Sequence, residues 1–162
     1  GLKLRVMENE VYTATFKALD VNAVPMAWAE ALTAMQQGTI EGQENPVNVM
    51  YSYKLWEYGQ KYATFDRHSY ATAIITMSLD VFNTLGEETQ AIFKQAAQEA
   101  AEFERAWVAE QEADQIQALK DNGMEIVENP DVDSFRAAVQ PVYDAYPQYG
   151  EYIARIQAAL AD

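Results

Sequence analysis

Apolar and polar residues alternate over the first six positions, with Leu2, Leu4 and Val6 set against Lys3 and Arg5. A period of two predicts a strand with its apolar face on the even positions. Arg5 then points away from the core, close to the strand's end, where open α/β sheets usually bind ligands; the competing reading is an ordinary surface cation. Asn9 is placed to cap a short helix from Glu10 to about Leu19. Asp20 to Met26 is valine-rich and holds Pro25, which reads as a brief strand or extended link. From Ala27 to Gln37 the spacing turns helical, with Trp28, Ala31, Leu32 and Met35 on one face and Gly38 as the stop. Trp28 falls in the first turn, as a core anchor or as the wall of a cleft.

Gly38 to Pro46 then packs two glycines, two carboxylates, two side-chain amides and a proline into nine residues. Such a loop is a structural corner or a place where polar groups are set around a ligand. Asparagine before a proline is a helix-start signal, so Asn45 can cap a helix from Pro46 to about Trp56, face a ligand, or do both. Tyr51, Tyr53, Trp56, Tyr58 and Tyr62 suit a cleft wall or an aromatic-packed hinge. Tyr70 to Ser78 reads as a strand buried on both faces, with His68 and Tyr70 at its start, and Ser78 as the cap of a short helix, Leu79 to Leu85. Glu87 to Asn122 is continuously helical, roughly 50 Å at 1.5 Å per residue. Its stripe of Ile92, Ala96, Ala100, Phe103 and Trp107, with Ile116 and Leu119 further on, is alanine-rich and has no clean heptad, which favours a helix running across two lobes over a coiled coil or a helical hairpin. Met124 to Val127 reads as a strand. A helix from about Asp133, bent or broken at Pro141, and an amphipathic helix through Tyr152, Ile153, Ile156 and Leu160 complete the chain.

Composition narrows the chemistry. The 162 residues fit one domain of ordinary size, and their formal charge is −14. That acidity argues against nucleic acid and anionic membrane, whose phosphates require Lys and Arg. The absence of cysteine excludes disulfides, thiolate metal sites and thiol nucleophiles. The single histidine, His68, argues against a His-based metal site and against acid–base catalysis. No cofactor fingerprint is present. Glu41 and Glu44 leave open a small hydrolase or lyase, and the long helix leaves open a scaffold that docks a partner without any small ligand. The polar loop, Arg5 and the aromatics favour binding over turnover, since ligand sites join many apolar contacts to a few placed polar groups. An arginine can grip a carboxylate by a two-pronged, charge-assisted hydrogen bond that lysine cannot reproduce.

Four motifs in matching order and spacing, Gly1-Leu2-Lys3-Leu4-Arg5-Val6, Pro25-Met26-Ala27-Trp28, Ala34-Met35-Gln36-Gln37-Gly38 and Gly42-Gln43-Glu44-Asn45-Pro46, resemble DctP-type solute-binding proteins of TRAP (tripartite ATP-independent periplasmic) transporters. Leu85-Gly86-Glu87-Glu88-Thr89-Gln90 and the helix after it are similar as well. The resemblance implies an α/β, periplasmic-binding-protein-like fold of two lobes, a periplasmic location, and capture of a small organic acid for a membrane permease. It implies that Arg5 pairs with the ligand carboxylate, that Asn45 faces the ligand and that Trp28 lines the cleft. Glu8 stands where some relatives have a polar ligand-facing residue; its carboxylate would repel an anion unless it is protonated, turned away or meets a hydroxyl or amine. His68 and Tyr70 are expected as lining residues near a cross-lobe strand. The family's members are typically twice this length, and the chain opens directly on a strand. The expectation is therefore a processed form or fragment, mostly one lobe plus the cross-lobe helix. Residues 1–66 would form the second-lobe segment, 67–122 the cross-lobe strand and helix, and 123–162 the C-terminal strand and helices. Such a chain would pair with the absent N-terminal half or with a copy of itself, through apolar edges.

Overall fold

The computed structural model describes residues 1–161; the side chains of Leu160 and Ala161, and all of Asp162, lie outside that description, so the expected place of Leu160 on the last helix's apolar stripe does too. The chain begins with β1 (Lys3–Val6), α1 (Glu10–Ala18), β2 (Asn22–Pro25), α2 (Trp28–Gln36) and β3 (Gly42–Gln43). These strands form a parallel sheet in the order β2-β1-β3, with Arg5 opposite Val24 on one side and Gln43 on the other. The central position of β1 explains the first departure from the sequence reading. A central parallel strand is covered on both faces, so alternation no longer separates core from solvent. Val6 is buried as expected, but Arg5 is also buried rather than pointing away.

The local signals of α1 and α2 hold. The side chain of Asn9 accepts hydrogen bonds from the backbone N–H groups of Val11 and Tyr12 at 2.8 and 3.3 Å. Asn9→Ala is expected to lower the unfolding free energy by about 1 kcal/mol, the usual worth of a lost N-cap, measured by urea denaturation. Gly38 follows α2 at φ +67°, the left-handed conformation a helix stop requires. Asn45 does not cap the next helix. α3 (Val47–Ser52) begins one residue later than expected and ends short of Trp56, with Pro46 as its N-cap. The Asn45 side chain instead donates from Nδ2 to Oε1 of Gln43.

A 3-10 turn (Leu55–Tyr58) leads to β4 (Tyr62–Thr64), which pairs in parallel with β5 (Glu125–Val127). The strand expected from Tyr70 to Ser78 is absent. β-prone sequence forms a strand only where a neighbour satisfies its backbone, and among the described residues none pairs with this segment. Tyr70, Ile74, Ile75 and Met77 are accordingly exposed. α4 (Leu79–Asn83) follows Ser78, whose side chain makes no capping bond.

α5 (Glu87–Asp121) is the long helix the periodicity predicts. Its expected stripe is a core face only at its C-terminal end: Leu119 is fully buried and Ile116 partly so, whereas Ile92, Phe103 and Trp107 are exposed. Leu119 joins Ala31, Ala34, Met35, Ile40, Met50, Leu55, Ala63 and Met124 in the larger core, while Val6, Phe16 and Ala23 form a smaller one beneath α1. α6 (Val132–Ala145) packs against α1 and runs through Pro141 without a break. A 3-10 turn (Pro147–Tyr149) and α7 (Gly150–Ala161) end the described chain, with Tyr152 and Ile156 exposed.

Candidate functional site

The strand order puts the chemistry in one place. The connection from β1 leads to a neighbour on one side of it, and the connection from β2 returns to the other side. Ligands of open α/β sheets gather at such a reversal, beyond the carboxyl ends of the strands. Arg5 is the penultimate residue of β1, Trp28 follows β2 by three residues, and Glu44 and Asn45 directly follow β3. Asp66 and His68 follow β4 in the same way.

Arg5 is only 5% exposed. Its Nε donates to the backbone carbonyl of Met26 at 2.9 Å, and its guanidinium carbon lies 5.4 Å from the centroid of the Trp28 ring. Cation–π attraction of this kind favours arginine over lysine. Trp28 is itself braced edge-on by Tyr53, with 5.1 Å between centroids. Nη1 of Arg5 lies 3.7 Å from Oε1 of Glu44, close enough for charge attraction but too far for a hydrogen bond. Neither Nη nitrogen hydrogen-bonds a described residue, yet no side-chain nitrogen or oxygen among the described residues is both fully buried and unpartnered. Neither Nη nitrogen is therefore wholly buried, although the side chain as a whole is. Burial lowers the Arg5 pKa from its ordinary value, opposed by the charges of Glu44 and Glu8.

Glu44 also faces His68, with 3.5 Å between Oε2 and Nε2, and the other ring nitrogen of His68 lies 2.7 Å from Oδ1 of Asp66. Four charged groups thus stand in a row, Arg5, Glu44, His68 and Asp66, alternating in sign when His68 is protonated. Phe16 packs edge-on to the imidazole at 5.1 Å, with Tyr12 beyond it. Burial acts to lower the His68 pKa, but the hydrogen bonds and charges of Asp66 and Glu44 outweigh it and raise it to about 9. A histidine raised from 6.5 in the unfolded chain stabilises the fold fully below that pH and loses its contribution as pH climbs through about 9. Solvent screening limits this to on the order of 1–2 kcal/mol. Urea midpoints at pH 6 and pH 9.5 should show a fall in stability that is absent from His68→Gln.

An open cavity of about 840 Å³ lies beside this row, with Tyr12, Phe16, Glu44, Asn45, Asp66 and His68 in its wall. Of the residues expected at a site, Arg5 and Trp28 are in contact, His68 is linked to Arg5 through Glu44, and Asn45 and His68 lie in the cavity wall, which Arg5 and Trp28 do not line. The structure separates the others: Glu8 is exposed and touches the group only through its field on Arg5, and Tyr70 is 86% exposed and outside the cavity wall. Glu44 and Asp66 were not expected as members of the group. Asp66 leaves one local trace in the sequence: an aspartate two residues before His68, whose backbone N–H it accepts at 3.3 Å in an Asx turn. The carboxylate pair that catalysis would require does not form. Glu41 accepts from the backbone N–H of Lys3 at 2.9 Å, whereas Glu44 is held between Arg5 and His68. Among the described residues no group of three or more His, Asp or Glu side chains is arranged to hold a metal ion, the row of Glu44, His68 and Asp66 included, and no helix is long and apolar enough to cross a membrane.

The fold is that of a solute-binding protein. A structure of a TRAP periplasmic solute-binding protein from Polaromonas sp. JS666 bound to D-erythronate superposes with a TM-score of 0.91 at 41% identity, over 98% of this chain and 52% of the other. One from Ralstonia eutropha H16, with bound (S)-2-acetolactate, superposes with a TM-score of 0.93 at 31% identity, over 99% of this chain and 54% of the other. In sequence, a solute-binding protein of Verminephrobacter eiseniae is 40% identical over 142 residues, which is 88% of this chain and 42% of the relative. The chain thus spans about half the length of the proteins it matches. The profile of DctP, bacterial extracellular solute-binding protein family 7, matches residues 1–148, and the chain belongs to that family. It is a family of periplasmic binding proteins rather than enzymes, and the chain corresponds to part of one, a single lobe with the long helix.

Proposed function

We propose that this chain forms the part of a TRAP solute-binding protein that grips the carboxylate of a small organic acid, for delivery to the membrane permease. The observation that carries the reading is Arg5. Its Nε is spent on Met26 and its face on Trp28, which fixes the guanidinium, while neither Nη nitrogen is hydrogen-bonded to a described residue or wholly buried. An end-on pair of Nη donors matches the two oxygens of a carboxylate. D-Erythronate and (S)-2-acetolactate, bound by two relatives, are both small 2-hydroxy carboxylates. We assign this chain the same class, with Asn45 and Gln43 as hydrogen-bonding partners for hydroxyls. The bare apolar side chains of Ile74, Ile75, Phe103 and Trp107 fit a chain whose other lobe covers them.

The test is a thermal-shift screen against 2-hydroxy acids, simple carboxylates and neutral polyols. A ligand that binds the folded state raises its melting temperature with the logarithm of concentration. Shifts confined to the acids support the reading. If no acid produces a shift, either in this chain or in the chain extended to the family's full length, the reading is wrong.

A further inference from the structure

Seven asparagines stand in the chain, and one of them, Asn122, is followed by glycine. The backbone nitrogen after an asparagine can attack the side-chain amide carbon, and glycine leaves that approach open because it has no side chain. The other six are worse placed. Asn45 and Asn129 precede prolines, which have no backbone N–H to give up. Asn9, Asn48 and Asn83 precede Glu10, Val49 and Thr84, whose side chains crowd the attack. Asn22, before Ala23, is held in β2 opposite Lys3. Asn122 ends α5, and Gly123 follows at φ +88°, the left-handed conformation glycine adopts without cost. Both residues are exposed, between the buried Leu119 and the buried Met124. A Cβ on Gly123 would meet nothing within 4 Å, so water reaches the turn freely.

While the turn is closed, both reacting groups are occupied. Nδ2 of Asn122 donates to the carbonyl of Ala118 at 2.8 Å, and the Gly123 N–H donates to the carbonyl of Lys120 at 2.9 Å. We propose that Asn122 is a site of spontaneous deamidation, gated by opening of the last turn of α5. Once both bonds open, the Gly123 nitrogen loses its proton to water or hydroxide and attacks Cγ of Asn122. The bond from Cγ to Nδ2 breaks, Nδ2 leaves as ammonia, and a five-membered succinimide remains. Water then opens the ring at either carbonyl, giving aspartate or isoaspartate, with no oxidation or reduction at any step. The product carboxylate cannot donate to Ala118, and it adds negative charge beside Asp121 at the negative end of the helix dipole. Isoaspartate also lengthens the main chain by one methylene between Leu119 and Met124, two residues the core holds at fixed places. Modification therefore loosens the joint between α5 and β5.

The test is to incubate the purified chain at pH 7 and pH 9, native and in guanidinium chloride, and to follow every asparagine by peptide mapping and mass spectrometry. Conversion is expected first at Asn122, and faster at pH 9 because the Gly123 nitrogen must lose its proton. In denaturant it should be faster by about tenfold or more, since no closed turn then shields the two groups. Asn122→Gln should resist conversion, because its longer side chain would have to close a six-membered ring. Asn122→Asp, which mimics one product, should unfold at a lower urea concentration than wild type. Faster conversion at any other asparagine, or none at Asn122 in denaturant, would overturn the site. Equal rates in the native and denatured chains would overturn the gating, and an Asn122→Asp chain as stable as wild type would overturn the loosening of the joint.

Discussion

Arg5→Lys is expected to weaken carboxylate binding by about a hundredfold, despite keeping the positive charge. A hundredfold is about 2.7 kcal/mol, within the range for truncating one member of a buried, hydrogen-bonded charge pair. Lysine loses three things together: the Nε bond to Met26 that fixes the head group, the planar contact with Trp28, and the second prong toward the ligand. Arg5→Ala should abolish measurable binding. It should also leave Glu44 facing only His68, so the apo protein must be checked for folding by circular dichroism before calorimetry is interpreted. Equal affinities for wild type and Arg5→Lys would show that the ligand meets Arg5 as a diffuse charge and not as a fork.

The second large effect is on stability. Leu119 is fully buried and is the only residue of α5 wholly inside the core, where its cluster includes Met35, Met50, Leu55 and Met124. Leu119→Ala should cost about 2–5 kcal/mol, the loss expected when a buried leucine leaves a cavity that cannot fully collapse. Phe103→Ala on the same helix should change stability by no more than about 0.5 kcal/mol, because its ring is 71% exposed. Urea denaturation of the two variants side by side would check both. Similar losses would mean that the outer half of α5 is packed in solution, as by a second copy of the chain.

The contrast between these residues also shows what the sequence could carry. Signals that act within a few residues were legible: the Asn9 cap, the Gly38 stop and the unbroken helical period of α5. β3 and β4, two and three residues long, are too short for any periodicity to register. Tyr70 to Ser78 has the composition of a strand, but pairing depends on a partner that composition cannot supply. The burial of Arg5 was hidden for a related reason, since only the strand order reveals that β1 is covered on both sides. At the candidate site, Arg5, Trp28 and Asn45 were nameable from motif resemblance, and His68 only from its place near the expected cross-lobe strand. The linkage of Arg5 to His68 through Glu44 was not, because it joins β1 to the loops after β3 and β4, which are far apart in the chain. Pro141 does not break its helix, as its flanking residues remain helical around it.

The placement of Leu119 gives α5 a mechanical character. The helix is about 50 Å long and is seated in the core near one end only. It is therefore a lever with its fulcrum at Leu119. A tilt of about 10° there carries the far end at Glu87 through roughly 9 Å for a helix of that length. Any tilt set by repacking around Met50 and Met124 would thereby be magnified along the helix toward its distant end.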